Sequence, residues 1–586
     1  MKNLTTLAEL ISFQAINFNN KTALNFKENN QLKSFSNQEF LDKTFYFSCG
    51  LKEIGLKKNQ SIAIYSYQNP IWLIADLGSI LASAITIPIF HNISIDNLIY
   101  QINDSKISFI FTDNPEILSI LKSHNLNLKV ISYGFESPET ITYDYLVNLG
   151  YEAIKNNKYQ LSSIIETINS QDLATIIYTS GSTGNPKGVE ITHANLISQI
   201  NDSRKFFPLI GNEIVLSYLP LAHIFERMVM LYYISCGVSV YFVDDTKNIG
   251  IFLREFCPDL MTTVPRVLEK VYAKIANGVD SGNLIKKFLG QKAIKRALTK
   301  IPFSNSQSFK NKIIDKFFDV LIYKKFRQAL GGKMKMIICG GAALSNDLEK
   351  FYFNIGVNVY CGYGLTEASP VIATNCPKYH KIGTVGKAFP SVSTKISSDG
   401  ELLAKGENIM QGYHNLEKEN VEIFSDVFLK TGDLAEIDEE GFIKLIGRKK
   451  ELFKTSNGKY VNPINIEQKL IQELSFLIGA IIIAENHQFV SALLFPDMEV
   501  IDIFKNKLKF SGNNLEFLQS NLLEKFVSEK ILIINQQLNH WERVQKFKII
   551  SEPISIKTGE ITPSMKLKRN LLNHKFAEII DGFYKN

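Results

Sequence analysis

The feature that most constrains this chain is a glycine-rich loop between a predicted strand and a predicted helix. Residues 173–178 are short, apolar and rich in β-branched side chains, which indicates a buried strand. Val189–Thr192 is predicted to be extended, and Thr192 is a plausible N-cap for a helix beginning at His193. Between them lie three glycines, four hydroxyl side chains and Lys187. Glycines allow close backbone approach and successive N–H groups can bind anions, so the loop predicts a polyphosphate site.

The loop differs from the common P-loop, because Lys187 is followed by Gly188 rather than by Ser or Thr. A flexible surface loop is the alternative interpretation. The sequence Thr-Ser-Gly-Ser-Thr-Gly-x-Pro-Lys-Gly is similar to the phosphate loop of the adenylate-forming superfamily, which includes acyl-CoA synthetases, luciferases and peptide-synthetase adenylation domains. The resemblance implies that Thr183 is catalytic. It also implies ATP contacts from Thr179, Ser180, Gly181, Ser182, Gly184 and Lys187.

Composition favours a cytoplasmic protein of more than one domain. A chain of 586 residues is too long for a single core. Its net charge of +7 is mild for this length and does not indicate a nucleic-acid partner. The six cysteines contain no Cys-x-x-Cys pair, so we expect neither a disulfide framework nor a zinc site. The first ten residues lack the apolar core of a signal peptide, and Asp76 and Pro88 interrupt the most apolar stretch, Ile71–Phe90, which argues against a membrane span.

The first 150 residues alternate between predicted helices and strands. Ser36 and Glu39 form a predicted capping box for a helix that continues to about Ile54. Another helix is predicted over Trp72–Ala82. Predicted strands cover 61–65, 85–89, 109–113 and 129–133. Strands separated by helix-length segments indicate a largely parallel α/β sheet.

The stretch Tyr218–Arg227 contains His223 among apolar neighbours. A lone histidine in such surroundings is more often a core residue than a functional one. However, this stretch and Thr262–Tyr272 both resemble the long-chain fatty acyl-CoA synthetase branch of the superfamily. That resemblance implies that His223 lies against the acyl carboxylate and the acyl tunnel.

Two later segments each run from a strand into a glycine turn. They are 337–344, with Gly340 and Gly341, and 359–368. In open α/β sheets, ligands commonly bind where strands end in this way. The pair resembles the adenine-binding segments of the superfamily, which implies that Tyr363 stacks on adenine and that Glu367 holds Mg²⁺. The remaining implied nucleotide contacts are Gly341, Ala342, Gly362, Gly364 and Thr366, the last to the α-phosphate.

The C-terminal part carries the remaining motifs of the resemblance. Gly400–Leu403 and Met410–Tyr413 resemble a β-rich subdomain. Asp433, in a Thr-Gly-Asp tripeptide that is ordinarily a turn, would accept hydrogen bonds from both ribose hydroxyls, and Arg448 would donate to those hydroxyls or to a phosphate. A mobile C-terminal domain would begin at residue 448 and rotate about Lys450. The loop containing Lys454 and Gly458 would face the thiol substrate.

Near the C-terminus, Ser-Met-Lys566 occupies the position of the superfamily's Thr-Gly-Lys. A lysine in a basic stretch is normally surface charge, but the resemblance implies that Lys566 is catalytic. Lys568 is the alternative if the alignment shifts by two residues.

Residues 281–335 contain fourteen Lys or Arg against two Asp, and apolar side chains recur at roughly helical spacing. A basic amphipathic segment can bind an anionic membrane surface. The alternative is a solvated helical insertion that packs on the main body.

The resemblance covers nearly the whole chain. It implies an α/β fold with a large N-terminal domain of parallel-rich sheets and flanking helices (1–447, with 281–335 inserted), a β-rich subdomain, and a small α+β C-terminal domain (448–586). The implied reaction is ligation of a long-chain fatty acid to coenzyme A, with ATP and Mg²⁺, through an acyl-adenylate. Open alternatives are an acyl-AMP ligase that serves a carrier protein, a ligase for medium-chain or aryl acids, and a non-catalytic lipid-binding protein. Peripheral attachment to the inner membrane face and a homodimer also stay open.

Overall fold

The computed structural model describes residues 4–179, 186–245, 248–302, 309–449, 453–454, 460–485, 487–555, 558–562 and 567–585. The chain divides into two compact units. The first comprises 1–396, 403–431 and 437–444, and the second comprises 397–402, 432–436 and 445–586.

The helices include a short π-helix, Asp319–Tyr323, and 3₁₀ turns at Thr366–Ala368 and His540–Glu542. The α-helices are α1 (Leu7–Asn17), α2 (Asn37–Glu53), α3 (Pro70–Leu81), α4 (Ile95–Asp104), α5 (Ile117–Ser123), α6 (Tyr143–Lys155), α7 (Leu161–Glu166), α8 (His193–Phe206), α9 (Ile224–Cys236), α10 (Ile249–Phe256), α11 (Pro265–Asp280), α12 (Leu284–Thr299), α13 (Phe309–Phe318), α14 (Lys324–Gln328), α15 (Asn346–Asn354), α16 (Glu417–Ile423), α17 (Pro463–Glu473), α18 (Ile501–Lys507), α19 (Asn514–Leu518), α20 (Asn521–Asn535), α21 (Arg569–Lys575) and α22 (Ala577–Tyr584).

The strands are β1 (Leu24–Glu28), β2 (Gln31–Phe35), β3 (Ser61–Tyr65), β4 (Ile85–Pro88), β5 (Ile107–Thr112), β6 (Lys129–Ser132), β7 (Thr140–Thr142), β8 (Leu173–Thr179), β9 (Lys187–Thr192), β10 (Ile214–Ser217), β11 (Ser239–Phe242), β12 (Leu260–Thr263), β13 (Met336–Cys339), β14 (Asn358–Gly364), β15 (Val371–Thr374), β16 (Lys387–Ala388), β17 (Val392–Ile396), β18 (Glu401–Gly406), β19 (Gly412–Tyr413), β20 (Phe424–Ser425), β21 (Phe428–Ile437), β22 (Ile443–Arg448), β23 (Phe453–Lys454), β24 (Tyr460–Val461), β25 (Leu477–Ile483), β26 (Val490–Pro496) and β27 (Val544–Ile549).

Two large sheets dominate the first unit. One has the strand order β19-β9-β8-β4-β3-β5-β6-β7, and the other has the order β16-β15-β14-β13-β12-β10-β11-β1-β2. Their central pairs are parallel, whereas antiparallel pairs occur towards the ends of both sheets. The predicted α/β fold with parallel-rich sheets is therefore confirmed.

Local sequence patterns predicted several helices and strands correctly. The Ser36–Glu39 capping box is formed at α2, and Thr192 caps α8 by accepting a hydrogen bond from the backbone N of Asn195. Strand β3 spans 61–65 as predicted. The predicted helix over Trp72–Ala82 begins two residues earlier, at Pro70, because Asn69 caps it.

The second unit is an α+β fold around the sheet β25-β26-β27. Alternate residues of β25 face two different cores. Ala480 and Ile482 pack with side chains of α17 and α20, whereas Ile481 and Ile483 pack with side chains of α21 and α22. Helices therefore cover both faces of this sheet, as the two-residue side-chain period of a strand requires.

Candidate active site

The flanks of the glycine-rich loop form the end of an antiparallel hairpin. Strands β8 and β9 pair so that Thr179 lies opposite Lys187. The hydroxyl of Thr179 donates to the carbonyl oxygen of Lys187 at 3.4 Å. Of the seven residues between these strand ends, 180–185 lie outside the described residues, and they include five predicted site residues, namely Ser180, Gly181, Ser182, Thr183 and Gly184.

Strand β19 lies directly beside the loop's second flank. Tyr413 is opposite Val189 in an antiparallel pair of β19 with β9. A Cβ at Gly188 would lie 2.8 Å from Ile176 Cγ2 and 3.2 Å from His414 Cβ, so glycine permits this close approach. The assignment of 410–413 to a β-rich subdomain is therefore wrong. Gly412 and Tyr413 form the edge strand of a large sheet because β9 supplies their backbone partners, and the backbone N of Gln411 also donates to Glu190 of β9.

The side chains of two predicted site residues, Lys187 and Glu367, meet Tyr413 at this edge. The Tyr413 hydroxyl donates to Glu367 Oε1 at 2.8 Å, and the backbone N of Met410 donates to the Glu367 carbonyl at 2.9 Å. The ammonium of Lys187 lies 4.9 Å from the centroid of the Tyr413 ring and 4.0 Å from Glu419 Oε1. The structure therefore brings Lys187 to the ring of Tyr413 and Glu367 to the hydroxyl of the same tyrosine.

The two predicted adenine segments are adjacent because β13 and β14 pair in parallel, with Cys339 opposite Cys361. Gly341 has a positive φ of 80°, a conformation that favours glycine. A Cβ at Gly364 would lie 1.9 Å from the carbonyl oxygen of Pro370, so a side chain cannot fit there. Tyr363 is partly exposed, and Ala342 is exposed, so the described strand ends present both to solvent.

His223 is the N-cap of α9. Its Nδ1 accepts a hydrogen bond from the backbone N of Phe225 at 3.2 Å. In the neutral imidazole the proton then lies on Nε2, which can donate to an anionic group. The ring of Phe225 packs against Gly340, where a Cβ would approach to 2.9 Å, so α9 begins beside the candidate adenine segment.

In the second unit, the structure brings Asp433 and Arg448 together. Arg448 Nε lies 3.0 Å from Asp433 Oδ1; the Asp433 side chain is 8% exposed and the Arg448 side chain is 50% exposed. Gly432 and Asp433 lie within β21 rather than in a turn, and Gly432 has a φ of 73°, a conformation that favours glycine. The backbone N of Gly432 donates to Glu401 Oε1 at 2.9 Å.

The candidate catalytic lysine, Lys566, lies outside the described residues, as do Lys450 and Gly458. The residues that follow Lys566 are held in place. Leu567 forms a β-bridge with Ile561, and the backbone N of Lys568 donates to the carbonyl oxygen of Glu560 at 2.8 Å. Lys454 lies in β23, paired with Tyr460 of β24.

Comparison with known proteins identifies the family. Residues 12–414 match AMP-binding enzymes, and 451–586 match the AMP-binding enzyme C-terminal domain. The chain belongs to the AMP-binding enzyme family.

Two curated relatives and a solved structure extend this likeness. The chain is 32% identical over 549 residues to long-chain-fatty-acid–CoA ligase FadD15 of Mycobacterium bovis, covering 91% of this chain and 90% of the relative. It is 28% identical over 601 residues to long-chain-fatty-acid–CoA ligase 5 of Rattus norvegicus, covering 96% and 85% respectively. The crystal structure of the anthranilate CoA ligase AuaEII in complex with anthranoyl-AMP matches with a TM-score of 0.74 at 15% identity, covering 99% of each chain.

The donor set of this AMP-binding enzyme suits Mg²⁺. Within the described ranges, no group of three or more His, Cys, Asp or Glu side chains is arranged to hold a metal by itself. Magnesium typically uses one or two carboxylates together with substrate phosphates, rather than an all-protein cage. Glu367, oriented by the Tyr413 hydroxyl, is a carboxylate of this kind.

Two features beside the candidate site were missed by motif reasoning. One is the hydrogen bond from Tyr413 to Glu367, because nothing in the sequence around Gly412 and Tyr413 indicates this contact. The other is a buried ion pair in which Arg227 Nε and Nη2 donate to Asp76 at 2.9 and 2.7 Å, and Nη1 donates to Thr175 Oγ1. Both charged side chains are 0% exposed. The sequence signal for this pair was a charged residue in each of two apolar helices, Asp76 in α3 and Arg227 in α9.

Glu226 lies in the first turn of α9, three residues after His223, and its side chain is buried. Burial raises its pKa to about 8, and its Oε1 accepts from the Ser217 hydroxyl at 2.6 Å. A carboxyl group with this pKa is largely neutral at pH 7, which permits its burial in the apolar surroundings of α9.

Proposed function

We propose that this AMP-binding enzyme joins long-chain fatty acids to coenzyme A through an acyl-adenylate. The observation that carries the proposal is the meeting of Lys187, Tyr413 and Glu367 beside the flanks of the phosphate loop. The names of the two curated relatives support the choice of a long-chain acid. The likeness to a CoA ligase crystallised with an acyl-adenylate supports the choice of intermediate.

The chemistry explains why a nucleotide is needed. A thiol cannot displace oxide from a carboxylate, so the acid must first gain a better leaving group. In the first step the carboxylate oxygen attacks the α-phosphorus of ATP, and the bond to the β-phosphate breaks to release pyrophosphate. In the second step the sulfur of coenzyme A attacks the acyl carbon, the bond to AMP breaks, and the thiol proton passes to solvent.

The first step brings two anions together. Repulsion between unit charges about 4 Å apart is about 4 kcal/mol at an effective dielectric of about 20. We assign Lys187 and Lys566 to offset this repulsion, with Thr183 and the other loop residues donating to the phosphates. Mg²⁺ held by Glu367 would neutralise phosphate charge when bound. His223 would donate from Nε2 to the acyl carboxylate.

The remaining nucleotide contacts follow from the positions of the side chains. Tyr363 would stack on adenine in a slot that Gly341, Ala342, Gly362 and Gly364 leave open, and Thr366 would donate to the α-phosphate. Asp433 would accept hydrogen bonds from the ribose hydroxyls, and Arg448, already beside it, would orient that carboxylate.

We further propose that one site serves both steps by rotation of a C-terminal domain that begins at residue 448. Lys450 would be the hinge, and the rotation would exchange Lys566 for the loop that contains Lys454 and Gly458, which would admit the thiol. An internal hinge of this kind allows incompatible steps to use one cleft in turn.

The test is to incubate the protein with ATP, Mg²⁺ and a fatty acid, with and without coenzyme A. We expect pyrophosphate release with a long-chain acid and formation of acyl-CoA only when the thiol is present. Acyl-AMP that accumulates despite coenzyme A would instead indicate a ligase that serves a carrier protein. Faster turnover of medium-chain or aryl acids, in a panel of C8 to C20 fatty acids together with aryl acids, would overturn the substrate assignment.

The proposed substrate also suggests where the enzyme works in the cell. In the described part of the chain no helix has the length and apolar character needed to cross a bilayer. Long-chain acids partition into membranes, so we propose that the enzyme works in the cytoplasm as a peripheral protein on the inner membrane face, with 281–335 as the attached segment.

A further inference from the structure

A continuous apolar stripe is exposed along α13 and the π-helix that follows it. Ile313, Ile314, Phe317, Val320 and Leu321 are 55%, 40%, 48%, 61% and 48% exposed. Their spacing of i, i+1, i+4, i+7 and i+8 is that of a helix face normally packed against a core. An exposed apolar stripe of this length indicates an interaction surface.

The other side of the same segment is firmly packed. Phe318 and Tyr323 are 8% and 3% exposed and belong to a hydrophobic core that includes Phe351 of α15. The Tyr323 hydroxyl donates to the carbonyl oxygen of Ala293 at 3.1 Å. One face of the segment therefore packs into the hydrophobic core, and a second apolar face is exposed to solvent.

Helix α12 adds a second exposed face of mixed character. Leu284, Ile285 and Phe288 are 87%, 72% and 57% exposed, whereas Ala293 and Ala297 on the opposite side are fully buried. Lys292 follows Phe288 by one helical turn, with its ammonium 4.3 Å from the centroid of that ring. Apolar and basic side chains thus share one side of α12.

Both acids in 281–335 form ion pairs. Asp315 accepts from Arg296 at 2.8 Å and from Lys300 at 2.7 Å, which ties α12 to α13. Asp319 accepts from Arg327 at 2.6 Å. The segment retains an excess of exposed lysines, which lie on the same helices as the exposed apolar side chains or on α14, which follows them. They include Lys286, Lys292, Lys295, Lys312, Lys316, Lys324 and Lys325.

We propose that this apolar–basic face, formed by the exposed side chains of α12, α13, the π-helix and α14, binds the surface of an anionic phospholipid bilayer. The segment has a net charge of +12, from fourteen basic and two acidic residues, although the whole chain has only +7. Apolar side chains can insert at the acyl boundary while neighbouring lysines contact anionic headgroups. This deepens the proposed function, since the long-chain substrate would be collected at the same surface.

Charge also argues against a second copy of this chain as the occupant. Two copies meeting through this face would bring the exposed lysines of both copies together, and like charges across an interface oppose association. An anionic bilayer supplies the complementary charge. The membrane therefore fits the face better than self-association does.

The experiment is vesicle flotation of the full-length protein without ATP or substrate. One set of vesicles contains phosphatidylcholine alone, and the other also contains phosphatidylglycerol. We expect binding to the anionic vesicles that weakens with added salt. Equal binding to both sets, or to neither, would overturn the proposal.

Two variants separate the contributions of charge and apolar contact. Lys312→Gln/Lys316→Gln/Lys324→Gln should lower the partition coefficient about a hundredfold, because each lysine near an anionic surface contributes roughly fivefold. Ile313→Gln/Phe317→Gln/Leu321→Gln should lower it without changing charge. The matched controls are Lys57→Gln/Lys122→Gln/Lys378→Gln and, for the apolar set, Ile16→Gln/Ile210→Gln/Val421→Gln, at other exposed positions. Unchanged binding by either test variant would contradict the assignment of the face.

Two further measurements make the outcome unambiguous. Light scattering reports the oligomeric state, and a dimer that the apolar variant converts to monomer would identify a second copy as the occupant and overturn the membrane proposal. Pyrophosphate release from a fatty acid delivered on serum albumin, without vesicles, tests the active site alone. If that reaction fails while the protein still binds vesicles, the proposed function is wrong and the membrane-binding proposal is unaffected.

Discussion

The hydroxyl of Tyr413 donates to Glu367 Oε1 at 2.8 Å, and the two residues come from elements 46 positions apart in sequence. The tyrosine side chain is buried beside β9, so its position is fixed by the sheet rather than by the turn that carries Glu367. A fixed donor on one oxygen orients the carboxylate. Tyr413 therefore acts on the candidate Mg²⁺ site through Glu367.

We expect Tyr413→Phe to weaken Mg²⁺ binding while it keeps the ring beneath Lys187. A hydrogen bond to a charged group contributes about 1.5–3 kcal/mol, so the concentration of Mg²⁺ needed for half-maximal pyrophosphate release should rise about tenfold or more. Calorimetric titration of ATP into the enzyme, with and without Mg²⁺, gives a second readout that does not depend on turnover. Tyr145→Phe, at a 59% exposed position, is the control. Unaltered Mg²⁺ dependence would show that Tyr413 only supports packing.

The second prediction separates the two half-reactions. Lys566→Ala should abolish pyrophosphate release but leave acyl-CoA formation from supplied acyl-adenylate largely intact, because the proposed role of Lys566 is confined to the first step. Lys568→Ala is the matched control two residues away. Equal loss in both half-reactions would show that Lys566 has been assigned wrongly, and a specific loss with Lys568→Ala would move the role to that residue.

The third prediction concerns the buried Asp76–Arg227 pair, which links α3 and α9 to β8, the strand that leads into the glycine-rich loop. Arg227→Met should lower the free energy of unfolding by about 3–5 kcal/mol, because it leaves the Asp76 carboxylate buried without its partner. Urea denaturation measures the change. The double variant Asp76→Leu/Arg227→Met should lose less than the sum of the single variants.

An exposed pair provides the comparison for that experiment. Lys350 lies 3.0 Å from Asp347, with the aspartate side chain 70% exposed. Lys350→Met should change the free energy of unfolding by about 1 kcal/mol or less. A similar small effect for Arg227→Met would contradict a structural role for the buried pair.

The difference between local and distant signals explains which features the sequence predicts. Ser36, Glu39 and Thr192 act on backbone groups within three residues, so their caps can be predicted from spacing alone. The alternation of helix and strand predicts the parallel sheets for the same reason. The pairing of Tyr413 with β9 depends on residues more than two hundred positions away, and no local pattern encodes it. Motif resemblance grouped Tyr413 with its sequence neighbours, whereas the sheet places it at the candidate site.

The last prediction uses the pH dependence of Glu560, which anchors the segment bearing Lys566. Burial favours a raised pKa for this carboxyl, but hydrogen bonds from Thr558, Lys575 and the backbone N of Ser555 outweigh it and lower the pKa from its ordinary 4.5 to about 2. Because the folded pKa is the lower one, the stabilisation is fully present above pH 4.5 and is lost as the pH falls towards 2. Glu560→Gln should therefore increase hydrogen exchange across the backbone amides of 558–562 and 567–568 at pH 7, with a smaller effect near pH 3. Glu552→Gln, whose partly exposed carboxylate shares Lys575, is the control. If that control loosens the segment as much as Glu560→Gln does, the anchoring depends on Lys575 rather than on the buried carboxylate.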